Sequence, residues 1–204
     1  MGALLRNPKF WVFSTCLMPL VRLIVLAGNG GLGANPIEFI TRSTGTWTLV
    51  GLLLTLSITP LRRLSGRAEL IRYRRMLGLF SFFYACLHFT TYIWLDQFFD
   101  PAAIAKDIVK RPFITLGFSA FVLLVPLAAT STHAMMRRLG RRWQQLHRLI
   151  YPIALLGVIH YLWLVKKDMT EPLIYGGVLM LLLVVRLPWG VSLLQAARSR
   201  FALA

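Results

Sequence analysis

Six runs of apolar residues, each close to the length that crosses a bilayer, dominate this chain and leave little else to fold. They extend from about Phe10 to Ala27, Gly45 to Thr59, Met76 to Leu95, Ile114 to Ser131, Leu149 to Val165 and Leu173 to Trp189. A helix rising ~1.5 Å per residue needs ~20 residues to cross a ~30 Å hydrocarbon layer. The second run is short and is expected to gain a turn at either end. Inside lipid every backbone polar group needs a partner from the protein itself, so such runs fold as helices. The expected fold is all-α, a single integral membrane bundle of six transmembrane helices occupying residues 1–204. No internal repeat, low-complexity stretch or soluble domain interrupts it. The longest connections are expected at 28–44, 60–75 and 96–113. The first run carries Arg22 and leads into Gly-rich sequence without a cleavage site, so it reads as a retained helix rather than a signal peptide.

Composition removes the competing classes. Hydrophobic residues make up 57% and charged ones 15%, against ~25% charged in an average soluble domain. Aromatic content of 12% argues against disorder, and two cysteines cannot staple a secreted scaffold. A net charge of +16 would ordinarily suggest nucleic acid. Here the charge sits in clusters between apolar runs, so the expected partner is membrane lipid and no nucleic acid.

Those clusters also orient the chain. With the N-terminus inside, 15 of the 23 basic residues fall in inner segments, among them Arg62, Arg63, Arg67, Arg72, Arg74, Arg75, Arg137, Arg138, Arg141, Arg142 and Arg148. Six of the seven acids fall outside, leaving Glu69. By the positive-inside rule both termini are expected in the cytoplasm. Trp11, Trp47, Trp94, Trp143, Trp163 and Trp189 lie near run ends, as interfacial anchors do. Cys16 and Cys86 lie at different depths on separate runs, which argues for packing rather than a disulfide.

Ionisable or ligating side chains within a bilayer are costly and point to function. His88 stands twelve residues past Met76 and His160 twelve past Arg148, at the inner ends of their runs, so ~18 Å along helices that run the same way. Two imidazoles at one depth can grip a metal between them, in the outer half of the membrane. His147 lies thirteen residues before His160, ~20 Å lower and ~140° round an ideal helix, with Pro152 between them able to bend it. At that inner edge, beside Arg148, it suits a phosphate-binding or interfacial role nearly as well as metal ligation. His133, beside a basic loop, reads as an ordinary loop histidine.

Zinc wants three or four close ligands, usually with Cys or carboxylate, and none shares the level of His88 and His160. Two His from separate helices in an apolar, aromatic setting suit the two axial positions of a six-coordinate haem b. Phe82, Phe83, Phe89 and Tyr161 are candidates to line its pocket. Such a haem carries single electrons and has no open position for substrate, so electron transfer is expected rather than oxygen chemistry.

The stretch Arg74-Arg75-Met76-Leu77-Gly78-Leu79, with Tyr84 and Leu87-His88 beyond it, resembles the third helix of the ferric-reductase-like transmembrane domain. Trp143-Gln144-Gln145-Leu146-His147-Arg148-Leu149-Ile150-Tyr151, leading to His160, resembles that superfamily's fifth helix. Leu127-Ala128-Ala129-Thr130-Ser131-Thr132 and Arg138-Leu139-Gly140-Arg141-Arg142-Trp143 are similar to the haem-binding membrane subunits of bacterial methionine-sulfoxide reductase systems. The resemblance covers nearly the whole chain. It implies that His88 and His160 are the ligands of an outer haem b, and that His147 corresponds to one ligand of an inner haem found in larger relatives. The other inner ligand is missing, since Arg74 stands fourteen residues before His88. The resemblance further implies FMN on the inner side, where His147, Arg74, Arg75 and Arg148 are the candidate binding residues. It implies an electron donor that is the quinone pool or a cytosolic flavin reductase. The implied acceptor is a periplasmic molybdopterin enzyme that reduces methionine sulfoxide in proteins, which places the chain in the bacterial inner membrane. Two other readings stay open: a self-contained ferric or quinone reductase of cytochrome b type, and a haem-free channel or scaffold using its histidines for protons.

Overall fold

The computed structural model describes residues 7–165, 167–188 and 190–192. Every regular element among them is helical. Helix α1 spans Pro8–Gly28, with Asn7 accepting from Lys9 N at its start. Helix α2 spans Pro36–Ser65. A 3-10 turn, Ala68–Leu70, leads into α3, Ile71–Thr91, which continues as a π-helical turn over Tyr92–Asp96. Helix α4, Pro101–Lys110, is short, and α5 spans Pro112–Ala129. Two small helices follow, α6 His133–Leu139 and α7 Arg141–Leu146. A 3-10 turn over His147–Leu149 joins α7 to α8, Ile150–Leu164, and α9 spans Thr170–Val184.

Five stretches are long and apolar enough to cross a membrane: Pro8–Gly28, Pro36–Ser65, Ala68–Asp96, Pro112–Ala129 and Arg141–Leu164. The sixth expected run appears as the shorter apolar helix Thr170–Val184; its expected end at Trp189 lies outside the described residues, as do Arg6, Lys166, Arg198 and Arg200.

The largest departure from the sequence reading is at α2. Its run was expected over 45–59, whereas the helix occupies 36–65. The cause is local chemistry rather than hydropathy. Asn35 caps the helix, accepting from Glu38 N at 3.2 Å while its amide donates to the Glu38 carboxylate at 3.1 Å, with Pro36 in the first turn. That reciprocal cap starts the helix nine residues before its apolar stretch. Gly66, with φ 70°, ends it in a left-handed turn. Trp47 therefore sits well inside α2 instead of at its end. The 96–113 connection likewise contains α4, started by Asp100, whose side chain accepts from Ala102 N and Ala103 N.

Helices α2, α3, α5 and α8 form the centre. Their buried residues Leu49, Leu52, Leu56, Ala85, Leu124, Leu127, Ile153, Ala154 and Val158 make one cluster, closed on one side by Leu179 of α9. Lipid is as apolar as leucine, so close packing rather than water exclusion must hold such helices together. The α2–α3 contact shows how. A Cβ on Gly51 would stand 2.5 Å from Ser81 Oγ and 3.3 Å from Ser81 Cα, so only glycine lets the two helices approach this closely. Ser81 is fully buried, and its hydroxyl donates to Leu77 O at 3.0 Å. Arg186, beyond α9, donates to the carbonyls of Leu182 and Leu56, tying α9 to α2. On the other flank the Tyr84 hydroxyl donates to Cys16 O at 2.7 Å, fixing α1 to α3. Met18, Ile24, Leu173 and Leu181 project outward from α1 and α9, as lipid-facing positions do. Cys16 and Cys86 are both free thiols.

Candidate metal centre

The end of α3 and the end of α8 meet the starts of α2 and α5, and α4 lies over this junction. Here the structure brings His88 and His160 together, with ring centres 6.2 Å apart and planes at 75°. Each ring is steered from behind by a backbone carbonyl. His88 Nδ1 lies 2.9 Å from Thr41 O on α2, and His160 Nδ1 lies 2.6 Å from Phe113 O on α5. A carbonyl oxygen only accepts, so each Nδ1 carries the proton and each Nε2 keeps its lone pair. That is the tautomer a metal-binding imidazole needs, fixed by the partner on its other nitrogen.

Two glycines make the room. A Cβ on Gly45 would meet His88 Cε1 at 3.0 Å, and one on Gly117 would meet His160 Cε1 and Nδ1 at 2.9 Å. Both imidazoles therefore lie flat against helix backbone. Between them opens a cavity of about 540 Å³, within the ~300–1,000 Å³ usual for cofactor sites. Phe89 and Tyr161 line it as expected, together with Phe118 and Phe121. Phe82 does not, and Phe83 packs edge-on against Phe80 and Tyr84 instead. Among the described residues no group of three or more His, Cys, Asp or Glu side chains is placed to hold a bare metal ion.

A second cavity, of about 420 Å³, lies at the basic end of the bundle. Arg74, Arg75 and His147 line it, with Lys9, Arg72 and His133. Arg148 does not line it: it is exposed on the 3-10 turn beside His147. The helix joint falls at that turn, with Pro152 in the first turn of α8, where a missing N–H costs nothing. His147 Nδ1 faces Trp143 O at 3.1 Å, while its Nε2 is buried with no hydrogen-bond partner among the described residues. Trp143 was read as an interfacial anchor. It is instead part of this site: its ring stacks on His147 at 3.9 Å and 28°, and its Nε1 donates to Thr130 O at 3.0 Å. The Leu127–Thr132 and Arg138–Trp143 motifs thus meet through one hydrogen bond, a pairing that composition around either motif could not reveal.

The two cavities share Leu124 as a wall. Phe82 of the basic-end cavity stacks on Phe121 at 6.2 Å and 10°, and Phe121 lies 4.6 Å from Phe89; both of these line the His88–His160 cavity.

A helical membrane domain with paired imidazoles between its helices defines the class of protein, and the comparisons agree with it. The family described as ferric reductase like transmembrane component matches residues 43–158, a segment that contains His88 and His147 and stops two residues before His160. A Herminiimonas arsenicoxydans protein named protein-methionine-sulfoxide reductase heme-binding subunit MsrQ is 60% identical over 184 residues, covering 89% of this chain and 84% of that protein. Proteins of the same name from Ralstonia nicotianae and Rhodospirillum rubrum are each 56% identical, covering 91% and 95% of this chain and 87% and 94% of theirs. The chain belongs to the MsrQ family of ferric-reductase-like transmembrane proteins. No solved structure matches it.

Proposed function

We propose that this chain is the haem b electron-transfer subunit of a methionine-sulfoxide reductase system, spanning the bacterial inner membrane six times with both termini in the cytoplasm. The observation that carries the reading is the His88–His160 pair. An iron bonded to two imidazoles at ~2 Å, with each ring centre a further ~1.1 Å out, would set ring centres ~6.2 Å apart; the separation here is 6.2 Å. The carbonyls of Thr41 and Phe113 hold both rings in the ligating tautomer. A haem bound there supplies one-electron exchange. The chain's own residues would do the rest: His88 and His160 would hold the iron, Phe89, Phe118 and Phe121 would keep water from it, and Gly45 and Gly117 leave the room.

In this orientation the basic-end cavity faces the cytoplasm and is the entry point. Its guanidiniums suit the phosphate of FMN, and the Trp143–His147 stack offers a flat wall for a ring system. Electron transfer weakens steeply with distance, and one layer of side chains, Leu124 with the Phe82–Phe121 stack, separates the two cavities. The donor is the quinone pool or a cytosolic flavin reductase. The acceptor is a periplasmic molybdopterin enzyme of the MsrP kind, docked over α4.

The test begins with haem and flavin quantitation and a reduced-minus-oxidised spectrum of the purified protein. Replacing His88 or His160 by Ala should abolish the low-spin haem signal in a folded, inserted protein, and a normal spectrum in both variants would sink the assignment. The reduced protein is then mixed with the periplasmic reductase and a methionine-sulfoxide protein. Reoxidation that needs both and slows at high salt supports the relay. Equally fast reoxidation by soluble ferric chelates alone favours a self-contained reductase, and the absence of a Soret band favours a haem-free scaffold.

A further inference from the structure

The wall of the His88–His160 cavity changes character along its length. Toward the middle of the bundle it is apolar, formed by Leu52, Ala85, Leu124 and Ile153. At the α4 end it is polar, with Thr41, Tyr92, Gln97 and Arg111. Thr41 Oγ1 is buried there and makes no hydrogen bond within the described residues, and the buried Tyr92 hydroxyl, whose polar neighbour is the Asp107 carboxylate, makes no well-aligned one. Native proteins leave few buried hydroxyls unpaired, because each such group loses its water without compensation.

The neighbouring polar side chains are held in place. Asp107 of α4 accepts from Gln97 Nε2 at 3.1 Å, and the same oxygen pairs with Arg111 Nη1 at 3.4 Å. One carboxylate oxygen therefore positions two donors of the cavity wall. Arg111 has five N–H donors, which leaves most of its fork for another acceptor. Arg42 also lines this end and is paired with Glu38 at 2.9 Å. Asp96 is the single carboxylate among the described lining residues, against these two guanidiniums. His88, Tyr92 and Asp96, four residues apart at the end of α3 and through its π-helical turn, all line the one cavity.

A ligand that satisfies this wall is flat and apolar along one edge and carries carboxylates along the other. Building on the haem reading above, we propose that Tyr92 and Arg111, the latter positioned by Asp107, bind the propionate carboxylates of the haem. The porphyrin then stands with its carboxylate edge toward α4 and its methyl and vinyl edge toward Leu124 and Ile153. Arg111 is the charged partner, and the Tyr92 hydroxyl donates to the same edge. A cation at this edge also favours the reduced iron, which carries one positive charge fewer.

The test uses the full chain, loaded either with haem b or with its dimethyl ester, which lacks both carboxylates. Tyr92→Phe, Arg111→Gln and Arg111→Lys are compared with the unaltered protein for the rate of haem transfer to apomyoglobin and for midpoint potential. With haem b, Tyr92→Phe and Arg111→Gln should release the group ~10-fold faster, the size of one lost charge-assisted or buried hydrogen bond. Arg111→Gln should also lower the potential, and Arg111→Lys should restore it. With the dimethyl ester all four proteins should behave alike, and failure of even the unaltered protein to retain the ester would support the same conclusion more strongly. Variants that match the unaltered protein with haem b would overturn the proposal. So would a difference that persists with the ester, because it would assign these residues to packing. If the unaltered protein shows no low-spin signal with haem b, the haem reading itself fails and this inference falls with it.

Discussion

Gly117 offers the sharpest test of how the site is built. A methyl group there would lie 2.9 Å from His160 Cε1 and Nδ1 and 3.2 Å from Cγ. Comfortable carbon–carbon contact begins near ~3.5 Å, so the ring must retreat by ~0.6 Å. The carbonyl holding Nδ1 belongs to Phe113, one turn earlier on the same helix, so retreat from Gly117 also stretches that 2.6 Å bond. It approaches ~3.2 Å, the edge of good N–H···O geometry. Overpacking of this kind costs ~1–3 kcal/mol, and a weakened hydrogen bond adds up to ~1 kcal/mol. Alanine's better helix propensity returns ~1 kcal/mol. The net is ~2 kcal/mol, roughly 30-fold in haem affinity if it is expressed at the site. The assay is titration of haem-free Gly117→Ala protein with haem, followed by the low-spin absorption and paramagnetic resonance spectra, which report the orientation of the axial rings. Gly177→Ala on α9 is the control, because a methyl there meets nothing within 4 Å. Unaltered affinity and spectra in Gly117→Ala would refute the claim that backbone contact sets the ring position.

Gly51→Ala should lower thermal stability by ~1–3 kcal/mol without changing the haem spectrum, because it wedges α2 from α3 at Ser81 rather than at an imidazole; a detergent melt checks both halves of that statement. Trp143→Phe keeps a ring over His147 but removes the bond to Thr130 O, so flavin content should fall less than in Trp143→Ala. Replacing Arg74 and Arg75 by Gln should lower flavin content and slow haem reduction from the cytoplasmic side, and no change in either would leave them a topological role alone. In the loop before α9, the Thr170 hydroxyl and the Thr170 N, the latter at 2.9 Å, both donate to Asp168 and hold its carboxyl below the ordinary value. Its folded pKa is depressed, so its contribution is present above the ordinary carboxylate range and lost as pH falls through the depressed value. Amide exchange at Thr170 should quicken over that window, and a flat profile would contradict it.

Much of this was legible in the sequence because depth in a membrane is nearly a residue count. His88 and His160 stand twelve residues past Met76 and Arg148 at the inner ends of their runs, and the structure brings their rings together. The roles of Gly45 and Gly117 were not legible, since they follow from which helix lies behind each ring, and hydropathy does not encode azimuth. The early start of α2 was written in Asn35-Pro36-Ile37-Glu38, a capping signal that a search for apolar length passes over. Trp143 was misassigned for a related reason: a tryptophan at a run end suits the headgroup layer equally well, and only its contacts with Thr130 and His147 separate the two uses. Arg148 is grouped with Arg74 and Arg75 by level alone, yet it lies on a 3-10 turn and does not line their cavity.

The length of α2 has a further consequence. Its 30 residues measure ~45 Å, well beyond the ~30 Å hydrocarbon thickness. Arg42 and Arg62 stand 20 positions apart on it, ~30 Å, so the helix fits the bilayer like a gauge with a guanidinium at each graduation. Thr41, whose carbonyl steers His88, is the neighbour of Arg42. With both termini in the cytoplasm, as proposed above, the His88–His160 pair would lie near the outer headgroups. On the proposed relay, a depth that shallow would bring a docked acceptor within reach, and it would bring dissolved oxygen equally close. Hydrophobic mismatch then becomes a variable of redox fidelity: a thinner bilayer, by drawing Arg42 inward, should raise the leak of electrons to oxygen relative to their delivery to a protein partner.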